Sequence, residues 1–157
     1  RALVRYRSRK IGFIFQAYNL VPNLTALENV MLSMEAACLP RRQRQPRARK
    51  LLEQVGLTVD QMKRKPARLS GGQQQRVAIA RALANQPKVI FADEPTGNLD
   101  EQTGLAVVNL LQMLSQLEKT TIVVVTHDKS LASKTGKVFN LKDGKLEETH
   151  EQPTIKR

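Results

Sequence analysis

The stretch formed by residues 69–76, LSGGQQQR, constrains the fold more than any other part of this chain. Ser70 is a favourable helix N-cap, and Gly71 and Gly72 leave backbone N–H groups open to close approach. Residues 76–84 are strong helix formers. Such a helix start carries the positive end of the helix dipole, which favours anions. The stretch therefore predicts an anion-binding helix start, and an ordinary glycine turn before a core helix is the alternative.

Three apolar segments predict β-strands, and polar side chains follow each of them closely. The segments are residues 10–15, 89–92 and 121–125, and the polar residues are Gln16, Asp93, Glu94 and His127. The continuous apolar run 89–92 is typical of a parallel strand covered on both faces. Ligands of open α/β sheets bind beyond the carboxyl ends of the strands. Two carboxylates, an amide and an imidazole at that edge predict phosphoryl transfer, with one acid on Mg²⁺ and the other activating water.

Capping and breaking signals place the helices. A capping box at Thr25 predicts a helix over residues 25–37. Pro46 is tolerated in the first turn of a helix, so the next helix is predicted to begin near Gln45 and to end before Gly56. No apolar run approaches the ~20 residues that span a bilayer. The chain is therefore not expected to cross a membrane itself.

Further elements are predicted in the second half of the chain. A helix over residues 101–118 is followed, after the third strand, by a hairpin that turns at Asp143 and Gly144. The tail 149–157 is polar. The apolar stripe of the helix is predicted to consist of Leu105, Val108, Leu111 or Met113, Leu114 and Leu117.

The motifs follow one another along residues 10–146 in an order that resembles the ATP-binding cassette (ABC) ATPases. The resemblance implies that Asp93 is the Mg²⁺-associated acid of the Walker B strand and that Glu94 is the general base. Gln16 is similar to the Q-loop glutamine, which in that family senses Mg²⁺ and the permease. His127 is similar to the switch histidine that contacts the γ-phosphate. The implied catalytic set is therefore Glu94, His127 and Gln16, with Asp93 and Gln16 at the metal.

Two further motifs imply a site shared between two subunits. Residues 69–76 resemble the signature motif of the family, whose members Ser70, Gly71, Gly72 and Gln73 are implied to grip the γ-phosphate of ATP held by the opposite subunit. The D-loop, residues 97–100 with the sequence GNLD, is implied to reach the partner subunit. The ATP-binding residues implied by these two motifs are Ser70, Gly71, Gly72, Gln73 and Asp100.

The resemblance implies a P-loop NTPase-type α/β fold with an incomplete parallel core sheet and an inserted helical subdomain. The helical part and the core are expected to alternate along the chain. The expected segments are 1–24 (end of the N-terminal core with the Q-loop), 25–85 (helical subdomain), 86–148 (α/β core) and 149–157 (polar tail).

One motif of the family is missing. The phosphate cradle G-x-x-x-x-G-K-[ST] is absent, since neither Gly136-Lys137 nor Gly144-Lys145 is followed by Ser or Thr. In ABC ATPases this P-loop precedes the Q-loop. We therefore expect an N-terminally truncated copy that by itself neither binds ATP well nor hydrolyses it, because the loop supplies most of the electrostatic stabilisation.

The resemblance implies the ATP-binding and ATP-hydrolysing subunit of an ABC transporter, with ATP and Mg²⁺ as cofactors. Its implied partners are an integral membrane permease and a second ATPase subunit, at the inner face of the cell membrane. The segments 16–28 and 92–100 are similar to the ATPases of lipoprotein-release, macrolide-efflux and antimicrobial-peptide-resistance systems. A non-catalytic remnant that acts only as a binding partner is one alternative.

A nucleic-acid-associated ABC ATPase is the other alternative, because the net charge is +12 and residues 1–87 hold 17 Lys and Arg against four Asp and Glu. In the family, chromosome-maintenance and repair relatives carry a long coiled coil between the Q-loop and the signature, and ribosome-associated relatives usually carry two cassettes. Only 53 residues separate Gln16 from Ser70, and they contain no heptad run. No nucleic-acid partner is therefore expected.

Overall fold

The computed structural model describes residues 9–132 and 134–148. Its internal contacts divide the chain into one unit that ends at Val125 and a second that begins at Thr126. The predicted division after residues 24, 85 and 148 stays a prediction, and the tail 149–157 lies outside the described residues.

The first unit consists of a parallel sheet and a set of helices. Its strands are β1 (Ile11–Ile14), β2 (Val89–Asp93) and β3 (Thr121–Val125), and its helices are α1 (Ala26–Ala36), α2 (Arg41–Gln54), α3 (Val59–Met62), α4 (Gly71–Leu83) and α5 (Glu101–Leu117), with a 3₁₀ turn at Pro66–Arg68.

The sheet has the order β1-β2-β3 with both pairs parallel, as the strand signals and the ABC resemblance imply. Ile14 pairs with Ala92 and Asp93 pairs with Val125. The three carboxyl ends therefore meet at one edge of the sheet, which is where the polar residues of the sequence were expected to lie.

One face of the sheet is buried and the other is open. Gly12, Ile14 and Ile90 are buried on the covered face, which contributes to the hydrophobic core. On the opposite face Phe13 is 48% exposed and Phe91 41% exposed, and their rings stack with centroids 5.9 Å apart. The expectation that β2 is covered on both faces is therefore wrong for the described residues, because the helices of this unit pack on one side only.

Helix α4 lies at the centre of the unit. It packs against β1, α1, α2 and α5. Seven of its residues are buried: Gln75, Val77, Ala78, Ile79, Ala80, Ala82 and Leu83. Its contact with β1 is close, because a Cβ atom added to Gly12 would lie 2.6 Å from the carbonyl oxygen of Ala82.

Helix α1 begins as the sequence predicts. The Thr25 hydroxyl accepts a hydrogen bond from the Glu28 N–H at 3.2 Å, and the Glu28 carboxylate accepts one from the Thr25 N–H at 2.8 Å. The buried Asn29 fixes the loop before the helix, because it accepts from the Val21 N–H and donates to the carbonyls of Val21 and Leu24. The predicted capping box is confirmed.

Helix α2 begins at Arg41, earlier than the predicted start near Gln45, so Pro46 lies inside the helix. Hydrogen bonds from basic side chains hold the turns on both sides of the proline. Arg44 donates to the Leu39 carbonyl at 2.9 Å, and Arg47 donates to the Ala84 carbonyl at 2.7 Å. The first bond is local and the second is tertiary, and together they offset the main-chain bond that a proline removes.

The same helix ends as predicted. Gly56 has a φ of +79°, and the N–H of Leu57 donates to the Leu52 carbonyl at 2.9 Å. The N–H of Gly56 donates to the Glu53 carbonyl at 2.9 Å, which completes a Schellman motif.

The predicted stripe of helix α5 is only partly correct. Val108, Leu111 and Leu114 are buried, but Leu105 is 39% exposed and Leu117 is 57% exposed. Gly104 and Val107 lie on the buried side instead. Gly104 faces Thr96, and a Cβ atom added to it would lie in ordinary van der Waals contact, 3.5 Å from the Thr96 Cβ.

The second unit holds α6 (Lys129–Ala132) and an antiparallel hairpin of β4 (Phe139–Lys142) and β5 (Lys145–Glu148). Its turn is formed by Asp143 and Gly144, both with positive φ. The predicted hairpin is confirmed.

We predict that Gly12→Ala destabilises the first unit by about 1–3 kcal/mol, since the added methyl group must displace the backbone of α4. Urea unfolding of the chain measures the change. Gly136→Ala is the matched control, because a Cβ atom there meets nothing within 4 Å. Equal stability of the two variants would contradict the close contact between β1 and α4.

Candidate functional site

The site is built at the carboxyl edge of the sheet. Asp93 is the last residue of β2 and is exposed, and Glu94 follows it and is half-buried. The N–H of Glu94 donates to the Val125 carbonyl at 2.9 Å, which extends the pairing with β3 by one residue. Gln16 lies two residues beyond the end of β1. The strand pairing therefore brings three of the predicted site residues to the same edge.

Glu94 has a left-handed backbone conformation, with a φ of +42°. Its carbonyl accepts a hydrogen bond from the Gly97 N–H at 3.1 Å. The two main-chain bonds fix Glu94 on both sides. A non-glycine residue in this conformation costs about 1–2 kcal/mol, and such strained residues cluster at functional sites.

The D-loop that follows is ordered by its own hydrogen bonds. The Leu99 N–H donates to the Thr96 carbonyl at 3.0 Å. Asp100 is the N-cap of α5, and its carboxylate accepts from the Thr103 N–H at 2.9 Å and from the Thr103 hydroxyl at 2.7 Å. These bonds hold the pKa of the Asp100 carboxyl below its usual value of 3.8, the hydroxyl contributing most. The sequence signal for this cap was an aspartate directly before an amphipathic helix.

Gln16 is in contact with the D-loop. Its carbonyl accepts a hydrogen bond from the Asn98 side chain at 2.9 Å, and its side-chain amide donates to the Asn98 Oδ1 at 3.5 Å. A Cβ atom added to Gly97 would lie 2.7 Å from the Gln16 Nε2. Asn98 is thus a site residue that the sequence reasoning did not single out by itself.

The signature residues form the start of α4. The Ser70 hydroxyl accepts from the Gln73 N–H at 3.3 Å, and the Gln73 side chain accepts from the Ser70 N–H at 3.0 Å. Ser70 is exposed, whereas Gly71 and Gly72 are half-buried. The helix start predicted from the sequence is therefore correct, and it is a full capping box.

The two glycines let α4 approach the loops of the site. A Cβ atom on Gly71 would lie 3.0 Å from the Tyr18 hydroxyl and 3.6 Å from Leu99. A Cβ atom on Gly72 would lie 2.6 Å from the Thr103 methyl group. The signature thus packs against the Q-loop and the D-loop of its own chain.

Arg81, further along α4, holds the loop after β1. Its guanidinium donates to the carbonyl of Tyr18 at 2.7 Å and to the carbonyl of Asn19. Both of these loop residues have positive φ. Burial lowers the pKa of Arg81, although it stays charged at physiological pH. The arginine therefore stabilises a strained loop conformation.

His127 lies in the second unit, two residues after the end of β3. The N–H of Asp128 donates to the Thr126 hydroxyl at 3.1 Å, which forms a tight turn beside the histidine. The implied contact of His127 with a γ-phosphate stays a prediction.

The donor set at the edge suits Mg²⁺ better than a metal caged by protein ligands. Among the described residues there is no group of three or more His, Cys, Asp or Glu that could hold a metal ion. Mg²⁺ usually binds one or two carboxylates, retains several waters and takes further oxygens from phosphates. The adjacent carboxylates of Asp93 and Glu94 fit that pattern.

Comparison with known proteins decides the family. The family model described as ABC transporter matches residues 3–97, more than half of the chain. This chain belongs to the ABC transporter family. The predicted ABC ATPase fold class is thereby confirmed, and this family uses ATP. In the part of the chain that the structure describes, no helix is long and apolar enough to cross a membrane.

Two ABC transporter ATP-binding proteins are similar to most of this chain. An uncharacterized ABC transporter ATP-binding protein of Thermotoga maritima is 53% identical over 94% of this chain and 62% of its own length. The lipoprotein-releasing system ATP-binding protein LolD of Syntrophus aciditrophicus is 46% identical over 93% of this chain and 65% of its own length. The chain spans less than two thirds of either relative. These matches agree with the predicted branch of the family.

A solved structure is similar to the fold of this ABC chain. It is a dimeric ATP-binding cassette of Methanocaldococcus jannaschii in a post-hydrolysis state, bound to ADP and phosphate. It shares 46% identity with a TM-score of 0.79, over 93% of this chain and 64% of its own. At 46% identity, the similarity to that cassette extends beyond the fold to the sequence itself.

We predict that Asp100→Asn removes part of the acid sensitivity of this ABC domain. The lowered pKa means that Asp100 stabilises the folded state above pH 3.8, and that this contribution is lost as the pH falls through the lowered value. Asparagine keeps the cap without a charge. The urea midpoint of the variant should fall less between neutral pH and about pH 3. An identical fall in both proteins would show that the cap does not titrate.

We predict that Glu94→Asn unfolds at a higher urea concentration than Glu94→Gln. Both changes remove the charge, but asparagine accepts the left-handed conformation at lower cost, by about 1 kcal/mol. Glu94→Gln is thus the control for the lost carboxylate. A lower midpoint for the asparagine variant would contradict backbone strain at this position.

Proposed function

We propose that this chain supplies the Walker B, Q-loop, D-loop and signature elements of an ATP-hydrolysing subunit that powers an ABC transporter. The observation that carries the proposal is the placement of Glu94, which two main-chain bonds fix at the sheet edge. Gln16 and the exposed carboxylate of Asp93 lie at the same edge. Such an arrangement suits a water that attacks a terminal phosphate.

Each group has a distinct proposed role. Asp93 associates with Mg²⁺, which when bound neutralises charge on the phosphates. Glu94 accepts a proton from the attacking water. Gln16 orients the part of the site that would hold the Mg²⁺ ion, and His127 contacts the γ-phosphate. The carboxylate of Glu94 is suited to its role because its backbone is held before any ligand arrives, so little reorganisation is needed.

The signature is proposed to act on a nucleotide held by a second subunit. The exposed Ser70 and the half-buried Gly71 and Gly72 form a helix start whose dipole favours an anion. With Gln73 and Asp100 they make up the proposed ATP contacts across the dimer. The dimeric archaeal cassette with bound ADP and phosphate supports this arrangement.

The subunit is proposed to bind a membrane permease from the cytoplasmic side. A basic cavity of about 690 Å³ on the helical part supports this, as it offers a surface for an acidic partner. Its lining residues are Thr25, Asp60, Lys63, Arg64, Lys65 and Arg68. The match to LolD favours a transporter over a nucleic-acid machine.

The test uses a completed cassette, in which this chain replaces the matching 62% of the T. maritima relative. We predict that Glu94→Gln lowers ATP turnover at least about 100-fold, because the general base is lost, while ATP binding persists. Steady-state phosphate release and nucleotide binding are measured side by side.

Glu101→Gln is the matched control, because this exposed acid in the first turn of α5 lies outside the proposed machinery. It should leave turnover within about twofold of the parent, as surface substitutions usually do little. Turnover that survives Glu94→Gln would overturn the assignment of the general base.

A further inference from the structure

Gln75 is a polar residue on the buried side of α4. It is fully buried, with 0% of its surface exposed. Its Oε1 accepts no hydrogen bond from any described residue. A buried acceptor without a partner costs about 1–3 kcal/mol, and an apolar side chain of the same length avoids that cost. Packing alone therefore does not account for a glutamine here.

The other end of the amide makes one directed contact. The Nε2 of Gln75 donates to the carbonyl of Pro95 at 2.5 Å, and both residues are buried. Pro95 directly follows Glu94, so this carbonyl lies one peptide beyond the strained residue. The N–H of Glu94 is already bonded to β3. Gln75 thus fixes the C-terminal side of the turn whose N-terminal side is fixed by the sheet.

We propose that Gln75 is a positioning residue for Glu94, acting through the Pro95 carbonyl. This inference rests on the proposed role of Glu94 as general base. It directly connects the signature with the turn that carries Glu94 in the same subunit. Gln75 is the fifth residue of α4, the helix whose start is the signature. When the start of α4 moves as it binds the nucleotide of a neighbouring subunit, the hydrogen bond from Gln75 to Pro95 transmits this movement to the turn that carries Glu94.

The neighbouring Gln74 provides a matched control on the same helix. It is half-buried, and its Nε2 donates to the Leu69 carbonyl at 3.1 Å. That bond stays within the start of α4 and does not reach the turn after β2. Gln74→Met and Gln75→Met make the same chemical change, but only the second removes the link to Pro95.

The first experiment measures catalysis in the completed cassette. Gln75→Met should lower kcat at least about tenfold and leave KM for ATP within about threefold, because a displaced base slows chemistry without weakening nucleotide binding. Its urea midpoint should change little, since the unpaired acceptor is gone but the Pro95 carbonyl loses its donor. Gln74→Met should keep the parent kcat. A parental kcat in Gln75→Met overturns the proposal.

A second experiment uses the chain itself and needs no activity. The Gly97 N–H donates to the Glu94 carbonyl, so its amide exchange reports the order of the turn. Gln75→Met is expected to speed exchange at Gly97 at least about tenfold. If methionine disturbs the fold, Gln75→Leu replaces it, with the same expected result. Exchange at Gln74, whose N–H is bonded within α4, should not change. Unchanged exchange at Gly97 in both variants overturns the proposal.

Failure of this inference differs from failure of the proposed function. Loss of turnover in Glu94→Gln with a parental kcat in Gln75→Met refutes only the positioning role. Turnover that persists in Glu94→Gln refutes the general base, whatever Gln75→Met shows.

Discussion

The packing of helix α4 against the sheet and the loops beyond it is the constraint on which the rest of the structure depends. The absence of side chains at Gly12 and Gly72 lets the helix approach β1 and the start of α5. Gln75 and Arg81 then form hydrogen bonds to main-chain carbonyls of two different loops. One helix therefore positions the Q-loop, the turn after β2 and the D-loop together.

This arrangement explains why polar and strained residues persist around the sheet edge. Glu94 and the loop residues Tyr18 and Asn19 have left-handed backbones, and each is held by hydrogen bonds from a neighbouring element. Local strain of this kind is retained where the surroundings determine the conformation. The site is thus preformed by the fold, which suits electrostatic stabilisation of a reacting phosphate.

Local signals in the sequence predicted the strands, the capping box at Thr25, the N-cap at Ser70 and the position of Gln16, Asp93 and Glu94 at the carboxyl edge of the sheet. They failed where tertiary contacts prevail over local preference. In α2, which starts earlier than predicted, Arg47 reaches the distant carbonyl of Ala84, a contact that no local rule for Pro46 includes. The hydrogen bond from Gln75 to Pro95 could not be predicted from the sequence either, because it joins two residues 20 positions apart that belong to different elements.

The most direct test is a crystal structure of the completed cassette carrying Glu94→Gln, grown with ATP and Mg²⁺. We expect two copies that enclose the nucleotide, with residue 94 and Gln16 beside the terminal phosphate of one copy and Ser70 of the other copy closing over it. The bonds from Gln75 and Arg81 should be retained in each copy. A nucleotide bound far from residue 94, or an α4 start that faces solvent in the ATP-bound dimer, would contradict the account.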